Sequence, residues 1–355
     1  MAPVVVCVPQ AFKETLSVGE VGRALAAAVS AAGAVPRVIP ASDGGDGLLD
    51  ALAPPRRTAH AVTGPLGEAL RVEAGWLDPE TAVLESRLAC GLALVAPERR
   101  DPLRATTRGV GELLAAVVAA GARTVLVGLG GSATVDGGLG AARAWGWVPR
   151  DARGELLGEG GGALDDLRRL EPAPAPAARV VALADVRNRL TGPDGALVYA
   201  PQKGAGPAAV ARLHAGLTRL VEAAGPWGGP AHARREGAGA AGGLGFGLSC
   251  FGGAELVPGA SWVLDRQGLS AALDGAALAV VAEGRFDATS LAGKLTGEVV
   301  ARARAAGVPV AVVAPSAAVA PPGVAVTSAP GRWSAADLAR HAERAIRAAL
   351  GLSPS

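Results

Sequence analysis

Apolar positions along the chain fall into short runs that alternate with helical spacing. Val4–Val8 is an unbroken run rich in β-branched residues, the pattern of a strand buried on both faces. Ser17 followed by Glu20 reads as a capping box opening a helix that runs to about Ala32. Val35–Ile39 is a second strand, stopped by Pro40 and followed by the turn-rich stretch Ser42–Gly47. The rhythm returns with a helix over Val110–Ala120, a strand over Thr124–Val127 and a glycine-rich turn. Nearer the C-terminus the pattern predicts a strand at Ala279–Ala282, a helix over about Leu291–Ala306 and a strand at Val308–Val313. Ser334 caps a last amphipathic helix through Leu350. Alternation of this kind predicts an α/β fold with a doubly wound parallel sheet.

Two stretches break the pattern. Thr63 to Leu84 reads as a hairpin with Gly-Pro turns, and Trp147 to about Gly259 is irregular. Within the second stretch only a strand at Val180–Leu183 and a helix near Pro207–Ala223 stand out. A second, smaller α/β domain threaded through the first accounts for both. The expected boundaries are residues 1–60, 96–146 and 262–355 for the first domain and 61–95 and 147–261 for the second. The length of 355 residues suits two domains.

Composition narrows the function. A formal charge of +2 and no basic stripe with interleaved aromatics argue against nucleic-acid binding. Cys7, Cys90 and Cys250 are odd in number and lack CxxC spacing, which points to buried free thiols in a reducing compartment. The first residues carry no basic region, and no apolar span of about 18 residues occurs, so a cytoplasmic protein with no membrane partner is expected. His60, His214, His232 and His341 have no ligand spacing, against zinc and against a Ser-His-Asp triad.

Only three of 34 basic residues are lysines: Lys13, Lys203 and Lys294. Each sits in a segment bordered by glycines or turns. Lysine meets phosphate as a point charge where arginine offers a planar fork. Chance survival in an arginine-rich composition is the plain alternative.

The other chemical candidates also follow strands or lie in glycine loops, and ligands of open parallel sheets bind where strands end. Gly128–Gly138 lets backbone amides approach an anion, with Ser132 and Thr134 as hydroxyl donors. A tight turn needing glycine for geometry alone is the competing reading. Its Gly128-x-Gly130-x-x-Ala133 matches a dinucleotide fingerprint without the acid that should follow, and the stretch looks like the phosphate loop of the galactokinase–mevalonate kinase superfamily without its flanking elements. No P-loop string exists. Asp43, Asp46, Asp185, Asn188, Glu283 and Asp287 supply hard oxygens beside the lysines, the parts that phosphoryl transfer from a magnesium nucleotide requires. Singly, each is as readily a cap or turn former. Arg285 fits either a fork for a substrate carboxylate or phosphate, or a structural ion pair. Ala240–Gly247 is a further loop suited to close backbone approach.

Taken in order, these motifs resemble the bacterial glycerate kinase family of the first type. The match runs through Phe12–Leu16, Asp43–Gly47, Thr63–Gly67, Thr106–Glu112, Gly130–Gly138 and Asp185 to Pro193. It continues through Pro201–Ala205, Gly239–Gly245 and Glu283 to Lys294. The resemblance implies two α/β domains, one Rossmann-like (the first), and an active site in the cleft between them. It implies ATP- and Mg2+-dependent phosphorylation of D-glycerate, most often at the 2-hydroxyl. Lys13, Asp43, Asp185 and Lys294 are the implied catalytic residues, with Asp43, Asp185 and Glu283 toward the metal. Gly130, Gly131, Ser132, Thr134, Lys203, Gly242 and Gly243 fall to the cofactor, and Arg285, Asp287, Asn188 and Thr107 to the substrate.

Departures from the family pattern are Gln10 and Ala11 for Asp-Ser, Arg187 and Arg189 for Asp and Pro, Ser86–Cys90 for a small-residue run ending in Ser, Val135 for Asn and Thr289 for Gln. They leave two other readings open: a kinase of another small hydroxylated acceptor, a sugar or cyclitol or one already phosphorylated, and a silent nucleotide- or metabolite-binding homologue. The expected partner is a small hydroxy acid or polyol; the sequence allows a homodimer without fixing the assembly.

Overall fold

The computed structural model describes residues 2–12, 15–291 and 294–353; Lys13 and Gly293 lie outside the described residues. Thirteen strands occur among those described. The first are β1 (Val4–Pro9), β2 (Val35–Val38), β3 (Arg56–Thr63), β4 (Ala69–Trp76) and β5 (Thr81–Glu85). Then come β6 (Thr124–Leu129), β7 (Val148–Arg150), β8 (Arg169–Glu171), β9 (Arg179–Ala184) and β10 (Glu255–Pro258). The last are β11 (Leu278–Ala282), β12 (Val310–Ala314) and β13 (Val324–Ser328). No helix among the described residues is long and apolar enough to cross a membrane.

The chain divides into two compact units. The first comprises residues 1–43, 50–52 and 260–355, the second residues 44–49 and 53–259. In the first, an all-parallel sheet has the order β13-β12-β11-β1-β2. Val5 and Cys7 of β1 share a core with Leu25 of the helix Val18–Ala31 and Leu338 and Ile346 of the helix Ala335–Ala349. The alternate residues Val6 and Val8 share another with Leu264 and Val299 on the opposite side. Both faces are therefore dry, which is why the strand is an unbroken apolar run. Both predicted helix starts are present: Ser17 and Ser334 each accept from the backbone N–H three residues on, where Glu20 and Asp337 accept in return.

The second unit holds a six-stranded sheet of order β10-β9-β6-β5-β4-β3. β5, β6, β9 and β10 run parallel, and β3 and β4 close the edge as an antiparallel hairpin. That hairpin turns at Gly64–Glu68, so its first strand precedes Thr63, where the sequence pattern starts it. The helix Arg108–Ala119 and the segment Ala240–Gly252, which is non-helical at Ala241–Gly243, share the core of this sheet.

The domain boundaries differ from those expected. Residues 53–60 and 96–146 belong to the second unit, which is the larger, because β3 pairs with β4 and β6 pairs with β5 and β9. Alternation shows that Thr124–Leu129 is a buried parallel strand; it carries no information about which sheet the strand joins.

Candidate active site

In the first unit, β1 leads outward to β2 on one side while β11, β12 and β13 step outward on the other. The carboxyl ends of β1 and β11 thus flank a topological switch point, where open parallel sheets bind ligands. A cavity of about 640 Å³ opens there, lined from the loops after β1, β2, β11 and β12 and from Gly331–Trp333 beyond β13. Five of the sequence-predicted residues line it: Asp43, Glu283, Arg285, Asp287 and Lys294. Phe12 and Trp333 supply an aromatic wall, their ring centroids 6.4 Å apart, and Trp333 stacks on His341 at 4.5 Å.

The polar side of this cavity is a connected network. Glu283 accepts Ser290 Oγ–H on one oxygen at 2.8 Å and Thr296 Oγ1–H on the other at 2.7 Å. Gln10 Nε2 donates to Thr296 Oγ1 at 2.7 Å, which leaves the Thr296 proton for Glu283. Burial pushes the Glu283 carboxyl up from its ordinary value, against the two hydroxyls that favour its anion. Asp287 is held down instead, first by the Thr289 hydroxyl at 2.6 Å and further by Arg285, whose Nε lies 3.1 Å from it. Lys294 is the N-cap of the helix Leu295–Ala305, so its ammonium and the helix's positive end occupy one rim.

In the second unit, Gly130, Gly131, Ser132 and Thr134 follow the carboxyl end of β6, and Asp185 follows that of β9. Gly130 is trapped: a Cβ there would lie 2.9 Å from Gly45 Cα and 3.0 Å from Asp185 Oδ2. At Gly131, with φ +59°, a Cβ would come within 2.9 Å of Asp46 Oδ1. Two carboxylates therefore bracket this turn. Lys203 holds it from behind, its buried ammonium donating to Ser132 Oγ at 2.9 Å and to the Thr134 carbonyl at 2.8 Å. Burial pushes Lys203 down to about 8. Gly242 packs still closer, with a hypothetical Cβ 1.8 Å from the Thr134 carbonyl oxygen. Ala241, Gly242 and Gly243 all have positive φ, which turns the chain around that oxygen.

The geometry places several of the expected contacts within the framework. Lys203, Gly242 and Gly243 pack behind the loop Gly130–Thr134, inside the protein. Thr107 is fully buried; its hydroxyl donates to Asp136 at 2.9 Å and accepts from Ala141 N–H, so it is a framework residue. Asn188 spends its amide on the Asp194 carbonyl and the Tyr199 hydroxyl. Arg187 pairs with Glu236 on the surface. The sequence reading passed over Thr296, which carries no motif signal of its own, took Ser290 as a motif match without a site role, and assigned no role to Gln10 and Arg87.

The comparisons with known proteins fit this arrangement. The model of the glycerate kinase family matches residues 5–351. A glycerate kinase of Bacillus subtilis is 38% identical over 323 residues, 88% of this chain and 85% of that protein. Glycerate 2-kinase of Escherichia coli is 38% identical over 316 residues, 82% and 79% of the respective lengths. The crystal structure of a protein described as glycerate kinase 2 from Salmonella typhimurium superposes with a TM-score of 0.80 at 34% identity, covering 99% of this chain and 98% of that one. Matched almost end to end in sequence and in fold, the chain belongs to the glycerate kinase family and is a small-molecule kinase.

Proposed function

We propose that the protein transfers the γ-phosphoryl group of ATP to the 2-hydroxyl of D-glycerate, giving 2-phosphoglycerate and ADP. The observation that carries this reading is the switch-point cavity, where Lys294, Arg285 and a helix N-terminus supply positive charge beside the carboxylates Asp43 and Glu283. The names of the Bacillus and Escherichia relatives support the acceptor, and the second of them supports the hydroxyl.

In the transfer, the acceptor oxygen forms its bond to the γ-phosphorus as the bond to the bridging oxygen of ADP breaks. Catalysis of this kind is positioning and charge stabilisation. Lys294 and Arg285 offset the charge on the transferring group. Asp185 takes the hydroxyl proton at its carboxylate, and the loop Gly130–Thr134 holds the anionic reactant with its backbone. Among the described residues no three His, Cys, Asp or Glu side chains form a closed metal cage. Magnesium takes only one or two carboxylates and draws its other ligands from water and nucleotide phosphates. The all-oxygen pair Asp43 and Glu283 fits that demand, and bound magnesium would neutralise phosphate charge there.

The test is ADP release from ATP with D-glycerate, with L-glycerate, and with no acceptor, with and without EDTA. The reading requires release only with D-glycerate and free divalent metal. Equal release with and without an acceptor would refute it.

A further inference from the structure

We infer that Arg87 is an acceptor-recognition residue, its guanidinium fork receiving an anionic group of the molecule to be phosphorylated. This rests on the kinase reading above and names the substrate class of that site: hydroxylated acceptors bearing a carboxylate or a phosphate.

Arg87 opens the short helix that follows β5, and its stem lies along Gly131, the exposed residue of the otherwise buried turn after β6. Its Cβ and Cδ stand 3.5 and 3.8 Å from where a Gly131 Cβ would be. One edge of the guanidinium is anchored. Nε donates to Glu85 Oε2 at 2.7 Å and sits 3.5 Å from Asp46 Oδ1. Glu85 is only 2% exposed and is itself fixed, since Oε1 accepts the Leu49 N–H at 2.7 Å. The opposite edge makes no hydrogen bond among the described residues, and the side chain stays 36% exposed.

A planar fork held along one edge and open along the other is pre-organised for a carboxylate or phosphate, because the ordering cost has been met within the protein. Burial raises the Glu85 carboxyl above its ordinary value, opposed by Arg87 and the Leu49 N–H. The preceding residue of the turn, Gly130, lies beside Asp185, a Cβ there falling 3.0 Å from Asp185 Oδ2, so Arg87 and that carboxylate flank adjacent residues of one turn.

The test compares the full-length protein with Arg87→Lys, which keeps a cation beside Glu85 but loses the fork, and with Arg87→Met. Three acceptors are used: D-glycerate with its carboxylate, glycerol phosphate with its phosphate, and glycerol with neither. Arg87→Lys is expected to lower kcat/KM about 10- to 100-fold for the anionic acceptor through KM. KM for ATP and the rate with glycerol stay unchanged. The acceptor whose KM moves identifies the anion. Calorimetric binding of D-glycerate and glycerol phosphate should weaken by the same factor, a readout that stands even if neither compound is turned over. Turnover of neither with intact binding defeats the function above and leaves this inference standing. An unchanged ratio of anionic to neutral acceptor in both assays, with only a lower urea midpoint, shows Arg87 to be a strut between Glu85 and Asp46 and overturns the inference. A shift confined to KM for ATP overturns it as well.

Discussion

Lys203 gives a quantitative test of how the loop after β6 is held. Its ammonium is pushed from an ordinary value of 10.5 down to about 8 because burial strips its water, while Ser132 and the Thr134 carbonyl only partly replace that water. At about 1.4 kcal/mol per pH unit, the difference amounts to about 3 kcal/mol against the charged form. The unfolded chain keeps this proton up to 10.5 and the folded chain only to about 8, so between those values the unfolded state binds more protons and stability rises with pH. The expected gain is about 1 kcal/mol from pH 8 to 9 and about 3 kcal/mol by pH 10.5.

Three thiols oppose this gain. Burial pushes Cys7, Cys90 and Cys250 from 9.0 up to about 12, so their share of stability falls as pH rises above 9.0. The informative quantity is therefore the difference between Lys203 and Lys203→Met, which keeps the buried stem and cannot titrate, measured with Cys90→Ala in both proteins because Lys203 and that thiol shift each other. Urea unfolding across the alkaline range should show the protein with Lys203 gaining on the Met variant by these amounts at constant m-value. Parallel curves would refute the claim that this lysine is a desolvated internal cation.

Lys294→Ala should lose about 10²–10³ in kcat while keeping the wild-type urea midpoint, because it removes one charge at the cavity rim; wild-type turnover would remove Lys294 from the site. Gly242→Ala combines left-handed backbone with a clash at the Thr134 carbonyl and should cost about 2–5 kcal/mol in urea unfolding. The control Gly253→Ala shares φ +68° but has open space and should cost only about 1–2 kcal/mol; equal costs would mean the close approach carries no energy. Thr296→Val strands Gln10 Nε2 and one oxygen of Glu283, for a loss of about 1–3 kcal/mol that Thr296→Ser should largely restore.

The layered fold was legible because strands covered on both faces must be apolar throughout, as Val4–Val8 is, and because Ser17 with Glu20 and Ser334 with Asp337 are local chemistry. Sheet membership was not. The partners of β6 lie about forty residues before and fifty after it in the chain, and nothing in Thr124–Leu129 names them. Two of the three lysines fall in different settings. Lys294 faces a cavity whereas Lys203 is an internal strut, and a glycine-bordered lysine reads alike in both settings. Thr107 and Asp136 were equally opaque, since a buried carboxylate capped by backbone amides is spelled like an exposed one. Glu283, Arg285, Asp287 and Lys294 after β11 and Asp43 after β2 line one cavity, and their positions could be read because strand ends are legible and switch points follow from strand order.

The most direct measurement of the central claim is phosphorus NMR of the product formed from ATP, Mg2+ and D-glycerate. The account requires one new phosphate monoester whose phosphorus couples to the single methine proton at C2, formed in equal amount with ADP. Coupling to the two methylene protons at C3, or the absence of any glycerate monoester, would contradict it.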